Sequence, residues 1–360
     1  MHKSFDWWII GATILLIGVG LTIQASISPS EVYLQTGFVF VGILAFFVAS
    51  IISSTFFSTF AKYIYVSSVV FLVLPFIIGE LTRGTFRWIS IGPLNIQPSE
   101  IVKPLIIIGL AKYFSTRKLN RPREILLGGL LAIVPAVIIF LQPDLGSALV
   151  LMAGWLAVIF TAGIPMSWLG TLGISVGILF PLIWNFLKGY QKNRLLSFLE
   201  PGRDPLGTGY NLIQALVAVG SGGLVGRGLG RGTQSHLRFL PENSTDFVFA
   251  SLVEELGVIG AIIVLASFGI IFWRMYTVAS KTTNRFERLY VVGVMGLIFF
   301  QAFVGAGMNM GLLPVTGVPL PFISQGGSSL VSVLFSLGLV HGVYLRLKNT
   351  DALEIGRNFS

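Results

Sequence analysis

Four of the chain's fifteen acidic residues crowd one stretch, RFLPENSTDFVFASLVEELG at 238–257: Glu242, Asp246, Glu254 and Glu255. Asp246 follows Asn243, Ser244 and Thr245, any of which could cap a helix that it begins. An acid there is stabilised by the helix dipole. A carboxylate kept ionised at a membrane surface can also accept a proton from a hydroxyl. Eight residues of helix would put Glu254 about 12 Å deeper and roughly 80° around from Asp246, with Glu255 on the opposite face. Carboxylates that act together at a sugar lie about 5 to 9.5 Å apart, so neither glutamate is expected to partner Asp246. Buried in a bilayer, both are expected to hold helices together, paired or as neutral acids.

Other polar groups stand out against apolar surroundings. In QPSEIVKP (97–104) Ser99 is the expected N-cap and Glu100 lies in the positively polarised first turn. Lys103 shares its helix face, so an ion pair facing the bundle interior is expected, as structural glue or as a functional site. QPDLGSA (142–148) puts Asp144 in a tight turn, where such an acid commonly bonds its own backbone. LLPVTGVPLPFISQGGSS (312–329) is punctuated by prolines and ends in small polar residues including Ser324, as a rigid lid or a polar binding rim would be. GSGGLVGRGLGRGTQ (220–234) fits neither phosphate-loop spacing and reads as a tightly turned loop with two arginines. With no cysteine and three scattered histidines, His2, His236 and His341, neither composition nor spacing supports a haem, zinc or flavin enzyme.

The elements that must position these groups are membrane helices. Of 360 residues 54% are hydrophobic and 11% charged, against about 25% charged in a soluble domain. Ten apolar runs of spanning length occur, at 7–25, 33–53, 61–79, 99–115, 125–141, 146–163, 168–187, 246–273, 289–310 and 328–345. None has the alternation of a membrane barrel, so the expected fold is all-α and polytopic, a single membrane domain. The first run, behind MHKSFD, reads as a retained signal anchor.

Lysines and arginines of the short loops set the orientation. With the N-terminus inside, Arg117, Lys118, Arg121, Arg123, Arg274, Lys281, Arg285, Arg288, Arg346, Lys348 and Arg357 are inside, and both termini are cytoplasmic. The segment 188–245 then lies outside although it carries Lys188, Lys192, Arg194, Arg203, Arg227, Arg231 and Arg238. Long loops escape the charge rule; such a loop is either solvated against anionic lipid or a site for an anionic ligand. Within it GYNLIQALVAVGSGG (209–223) reads as an amphipathic or re-entrant helix.

RWISIG, QPSEIVK, QPDLGSA, YQKNRLLSFLEP, DPLGTGYN, FLPENSTDFVFASLVEELG and LLPVTGVPLPFISQGGSS follow one another along nearly the whole chain. In this the sequence resembles the SEDS family (shape, elongation, division and sporulation), membrane glycosyltransferases that polymerise peptidoglycan from lipid II. GTQSHLRFLPE and PVTGVPLPF are more similar to its elongation members than to its division members. The resemblance implies that Asp246, the aspartate of the Thr-Asp-Phe motif, is catalytic, and that Glu100 and Lys103 are important at the substrate. Arg87, Asp144, Gln191, Arg194, Glu242 and Ser324, on the other motifs, complete the expected substrate-binding set. Ser244 and Gln325 stand where the family usually has His and often has Tyr.

The implied reaction is inverting and needs one general base, with cations or a metal stabilising the diphosphate leaving group. Arg194, Lys103 and the other bases of the loop are candidates; a divalent cation, Mg or Mn, is left open because no complete protein cage is readable. The implied setting is the bacterial cytoplasmic membrane with the site on its extracytoplasmic face. Implied partners are a class B penicillin-binding protein and other elongation-complex proteins, and no nucleic acid. Two other readings stand beside this one: a lipid II flippase gated by Glu254, Glu255, Glu100 and Lys103, and a non-catalytic scaffold.

Overall fold

The computed structural model describes residues 5–358 apart from 79, 83–84, 93, 120, 204–206 and 238. His2 and Arg238 therefore lie outside the described residues, as do the start of the DPLGTGYN motif and the side chains of Arg203 and Arg357. Ten helices match the ten apolar runs: α1 (Trp7–Ile27), α2 (Val32–Ile51), α3 (Ser54–Ile78), α4 (Pro98–Ser115), α5 (Pro122–Leu141), α6 (Leu145–Thr161), α7 (Met166–Phe186), α11 (Val248–Lys281), α12 (Arg285–Asn309) and α13 (Gly327–Asn358). Between α7 and α11 stand three shorter helices, α8 (Gly189–Leu199), α9 (Thr208–Gly222) and α10 (Thr233–His236). Among the described residues seven helices are long and apolar enough to cross a membrane by length and composition. The chain is a multi-pass membrane protein; α4 escapes that count by carrying Glu100, Lys103 and Lys112, α6 has 17 residues, and α7 counts only over its Met166–Leu182 stretch.

Local chemistry fixes where helices begin. Proline occupies the first turn of α4 and of α5, where its missing N–H costs nothing. Asp6, Asp144 and Asn284 cap α1, α6 and α12 by accepting from backbone N–H groups. Ser99, the expected cap of α4, is not one: Gln97 holds that position without a side-chain bond, because Pro98 already removes one orphan donor and frees the Ser99 hydroxyl for Asp144.

The helix ends sort into two sets. At one, Arg274 bonds Asp6 (2.8 Å), Arg346 bonds Glu287 (3.0 Å) and Arg117 bonds Glu124 (2.8 Å), so both termini and the basic short loops share that end. At the other, Ser26 meets His236 and Glu255, Gln325 meets Glu31, and Arg87 meets Tyr190. The segment 188–245 belongs to this second end.

An antiparallel three-stranded sheet joins α3 to α4, ordered β1 (Glu80–Thr82), β2 (Thr85–Ile91), β3 (Leu94–Ile96). Ile89 faces Ile96 and Ile91 faces Leu94 across β2 and β3. The all-α fold carries this one β element, which the sequence reading missed; it delivers Arg87 to the second end.

Helix α11 departs further from expectation. It starts at Val248, leaving Asp246 in a turn over 241–247, and it is interrupted at Gly257, whose φ of 70° and ψ of −169° are non-helical. Only glycine adopts such a backbone readily. The carbonyls freed at the break accept from Arg227 N (to Glu254, 2.9 Å) and Gly228 N (to Glu255, 3.0 Å), while Val258 N and Ile259 N donate to Gly223 and Leu224 carbonyls (3.0 and 3.2 Å). The glycine-rich run is thus a backbone clasp that satisfies both broken helix ends, as a break in a membrane helix requires.

Candidate functional site

The Asp246 turn is held from three directions. Thr245 N and Phe247 N both donate to the Glu242 carbonyl (3.2 Å each), and Glu242 takes a left-handed φ of 53° to turn the chain. Buried Ser324 donates its hydroxyl to the Thr245 carbonyl (2.6 Å) and accepts from Leu320 N (2.9 Å). Gln325 N donates to the Ser244 carbonyl (2.8 Å), and the Ser244 hydroxyl donates to Gln325 Oε1 (2.9 Å), so the two departures from the family pattern bond to each other. Asn309, wholly buried in α12, donates to the Asp246 carbonyl and accepts from Ala250 N, both at 2.9 Å. These bonds fix the backbone on either side of the half-buried Asp246.

Beside the turn lies a cleft of about 370 Å³ lined by Arg87, Asp144, Tyr190, Gln191, Arg194 and the Pro314–Thr316 stretch, among others. The β2 strand supplies Arg87, whose Nε donates to the Gln142 carbonyl (2.7 Å) and whose guanidinium reaches the Tyr190 hydroxyl (3.4 Å). Tyr190 donates to the Pro143 carbonyl (2.9 Å), and Arg194 stands over its ring at 5.8 Å, one turn along α8. Gln191 is buried and closes the start of α8 by accepting from Lys188 N (2.9 Å). Two guanidinium groups therefore flank one phenol at the mouth of the cleft.

Gly317 joins the cleft to the turn. It has a φ of 74°, and a methyl group added there would lie 3.4 Å from Arg194 Nη1 and 3.5 Å from Asp246 Oδ2. Base and cation thus border the same small space. The proline-punctuated loop is the wall that carries Gly317, and it packs on the start of α6, where a methyl on Gly146 would meet the Thr316 carbonyl at 3.0 Å.

Behind the cleft the polar residues of α4 and α6 form one network. Asp144 Oδ1 caps α6 through Ser147 N (3.1 Å), and Oδ2 accepts from Gln97 (2.9 Å) and Ser99 (3.3 Å). Ser147 Oγ continues to Glu100 Oε1 (3.2 Å), which also receives Lys103 Nζ at 2.7 Å. Gln301 reaches Glu100 Oε2 (3.4 Å) and Ser332 the Glu100 carbonyl (2.7 Å). The expected ion pair is present, inside the bundle, at 2% and 3% exposure. Paired and hydrogen-bonded, such buried charges are tolerated.

Glu254 and Glu255 hold elements together as expected, at the end of the bundle that carries the cleft. Glu254 accepts from Gln234 N (2.8 Å), Ser235 N (3.1 Å), Ser235 Oγ (2.8 Å) and Thr233 Oγ1 (3.3 Å); Glu255 accepts from Ser26 Oγ (2.8 Å) and Gly230 N (3.3 Å) and pairs with His236 (2.7 Å). They pin the α9–α10 loop and α10 to α11 and α1 rather than joining helices deep in the bundle. The helical count from Asp246 fails because residues 246 and 247 are outside the helix. Ser235 in turn accepts from Asn243 Nδ2 (2.7 Å), which ties this cluster to the Asp246 turn. Exposed Glu242 accepts from Thr245 Oγ1 (3.2 Å) at the rim.

Of the expected residues, the structure gathers Arg87, Asp144, Gln191 and Arg194 in the cleft and brings Asp246 to Arg194. It sets Glu100 and Lys103 behind the cleft floor, and it gives the Ser324 hydroxyl to the backbone before Asp246. Sequence reasoning missed Tyr190, Asn309, Gln301 and Gly317; an amide inside an apolar helix was the available signal for Asn309 and Gln301. Among the described residues no group of three or more His, Asp or Glu converges as a metal cage. Chemically, the cleft offers guanidinium donors suited to phosphate oxygens, and the Asp246 carboxylate, an acceptor for a hydroxyl proton, stands next to it at Gly317.

Comparison with known proteins identifies the family. The cell cycle protein family of FtsW, RodA and SpoVE matches residues 7–349. The chain is 36% identical over 317 residues to peptidoglycan glycosyltransferase MrdB of Escherichia coli (strain K12), covering 87% of this chain and 85% of that one. It is 40% identical over 292 residues to the probable peptidoglycan glycosyltransferase FtsW of Geobacter metallireducens, covering 78% and 75%. A chain from a peptidoglycan synthase complex, solved for its structural coordination of polymerization and crosslinking, superposes with a TM-score of 0.83 at 30% identity, covering 96% and 98%. With ten membrane helices, the ordered motifs and a match along almost its full length, the chain belongs to the FtsW, RodA and SpoVE family, the SEDS family.

Proposed function

We propose that the chain is a peptidoglycan glycosyltransferase that polymerises lipid II into glycan strands with inversion at the anomeric carbon. The observation that carries this reading is the shared space at Gly317, where the Asp246 carboxylate meets the Arg194 guanidinium that lines the cleft. The acceptor sugar's 4-hydroxyl attacks the donor's anomeric carbon as Asp246 takes its proton. The anomeric carbon–oxygen bond breaks, and its electron pair leaves with the polyprenyl diphosphate. Arg194 and Arg87 face the charge that develops there. A Mg or Mn ion arriving with the diphosphate would add positive charge at the same place.

Asp144 and Gln191 shape the wall against the sugars, and Glu100 with Lys103 holds the floor through Ser147 and Ser99. Glu242 stands at the rim and Ser324 sets the Thr245–Asp246 backbone. Similarity to MrdB over 87% of the chain, and the elongation-type motifs, favour a role in elongation and shape. Similarity to FtsW keeps a division-type polymerase as the second reading. The solved synthase complex, which coordinates polymerization and crosslinking, supports a penicillin-binding protein, of class B on this reading, as partner; the basic short loops at the opposite end favour a cleft on the extracytoplasmic face of the bacterial cytoplasmic membrane.

A flippase gated by four buried charges is less well supported, since Glu100 and Lys103 bond within one network and Glu254 and Glu255 within another. The test uses purified protein and lipid II in detergent micelles, which have no sides for a flippase to exchange. Glycan strands are the expected product; lipid II left unconsumed, with and without the transpeptidase and divalent cation, would contradict the proposal. Growth of cells depleted of their elongation or division polymerase, complemented with this chain, separates the two roles.

A further inference from the structure

The clasp between α9 and α10 has an unusual surface for a loop outside a membrane. Leu224, Val225 and Leu229 are 73%, 74% and 50% exposed. They adjoin Val258, Ile259, Ile262 and Ile263, the exposed apolar strip of α11, because Gly223 and Leu224 bond directly to Val258 N and Ile259 N. Arg231 is also exposed, while Arg227 turns back to Ser221 and Thr233.

The depth of the clasp follows from counting along α11. At the far end of this helix Trp273 stands edge-on to Trp8 at 6.1 Å, both rings more than half exposed, and Arg274 is bonded to Asp6. Such a tryptophan pair beside a charged anchor marks a membrane boundary. From Val258 to Trp273 the helix rises about 22 Å, against a hydrocarbon thickness of about 30 Å, and tilt shortens the rise. The break at Gly257 and the loop backbone bonded to it therefore fall within the hydrocarbon on the cleft side, at least about 7 Å from its edge. Backbone at that depth must be satisfied by protein, and the four bonds between 223–228 and 254–259 do this.

We infer that the α9–α10 loop is a re-entrant element seated in the lipid leaflet on the cleft side, with Leu224, Val225 and Leu229 among acyl chains and Arg231 at the phosphodiester headgroups. The seat also bounds the height of the Asp246 turn. Only Val248–Leu256 separates that turn from the break, a rise of at most about 14 Å.

The chain has no cysteine, so single nitroxide labels can be placed without background. The full chain is reconstituted in nanodiscs of phosphatidylglycerol and phosphatidylcholine and labelled separately at V225C, L229C and R231C. Reference labels are S30C, exposed at the same end, and I262C, on the exposed strip of α11. Collision rates are measured with oxygen, which partitions into lipid, and with a water-soluble nickel chelate. The expected result is an oxygen-to-nickel ratio at Val225 and Leu229 several-fold above that at Ser30 and close to that at Ile262, with Arg231 between them. Ratios at Val225 and Leu229 equal to that at Ser30 would place the loop in water and overturn the inference. Protection from both reagents would mean that protein covers the loop, and would overturn it equally.

Discussion

Asp246 Oδ2 and Arg194 Nη1 both lie within contact distance of the position a side chain on Gly317 would take, and Gly317 has a left-handed backbone. A carboxylate and a guanidinium lie 52 residues apart in sequence and reach the same methyl-sized space from different elements, one from the turn before α11 and one from α8. If the hydroxyl attacks beside the carboxylate and the diphosphate leaves beside the guanidinium, that space must stay open.

Gly317→Ala is therefore expected to be more damaging to activity than to folding. The methyl group would fill the space in contact with both functional atoms, where substrate is proposed to enter, and the φ of 74° adds strain of about 1–2 kcal/mol for a residue with a Cβ. Lipid II polymerisation is expected to fall at least about tenfold, equivalent to a 1.4 kcal/mol higher barrier, while thermal unfolding shifts by a few degrees. An unchanged rate would mean that the space is not used.

Lys103→Ala would strand Glu100 in the bundle at 2% exposure, an uncompensated buried charge that costs about 3–5 kcal/mol. The double variant Glu100→Gln with Lys103→Met removes both charges and is expected to recover most of that stability. Thermal unfolding in detergent checks this. If the pair serves only folding, the double variant recovers activity as well; recovered stability without activity would assign the pair to the site.

Ser324→Ala removes the donor to the Thr245 carbonyl and the acceptor for Leu320 N. Leaving those buried groups unpaired costs about 1–3 kcal/mol, and the loss falls next to Asp246. Faster amide exchange over 320–325 and a lower turnover at unchanged lipid II affinity are expected. A change in affinity alone would show that the hydroxyl contacts substrate instead.

Glu254→Gln replaces a carboxylate that accepts four hydrogen bonds from Thr233, Gln234 and Ser235. Bonds to a charged acceptor are worth about 1.5–3 kcal/mol each, and the neutral amide keeps only part of that. Hydrogen exchange is expected to accelerate over 230–236 and, through Asn243 and Ser235, over the Asp246 turn. Acceleration confined to the membrane core of α11 would contradict the clasp.

What could be read in advance follows a physical division. Every membrane helix announced itself, because its apolar run must be long enough to cross the hydrocarbon, and Glu100 with Lys103 lay one helical turn apart. The β1–β3 sheet escaped notice because strands of three to seven residues leave little periodic signal. The bonds of Glu254 and Glu255 to the α9–α10 loop were not legible because a regular helix was extended through Phe247 and Gly257, where only tertiary bonds to 223–228 reveal the break. Ser26 lies 229 residues from Glu255, and Asn309 lies 63 from Asp246. Contacts at such separations depend on how helices pack, which local pattern does not encode. The importance of Asp246 came from the family resemblance; its partnership with Arg194 came only from the fold.

The most direct test of the central claim is glycan formation from lipid II by the Asp246→Asn variant in detergent, measured beside the unaltered chain. The amide keeps the size of the side chain and, at its carbonyl oxygen, the hydrogen-bond acceptor, but it cannot serve as a base. Intact folding and lipid II binding with no glycan strands is the result expected if Asp246 takes the hydroxyl proton. Normal strands from that variant would contradict the account.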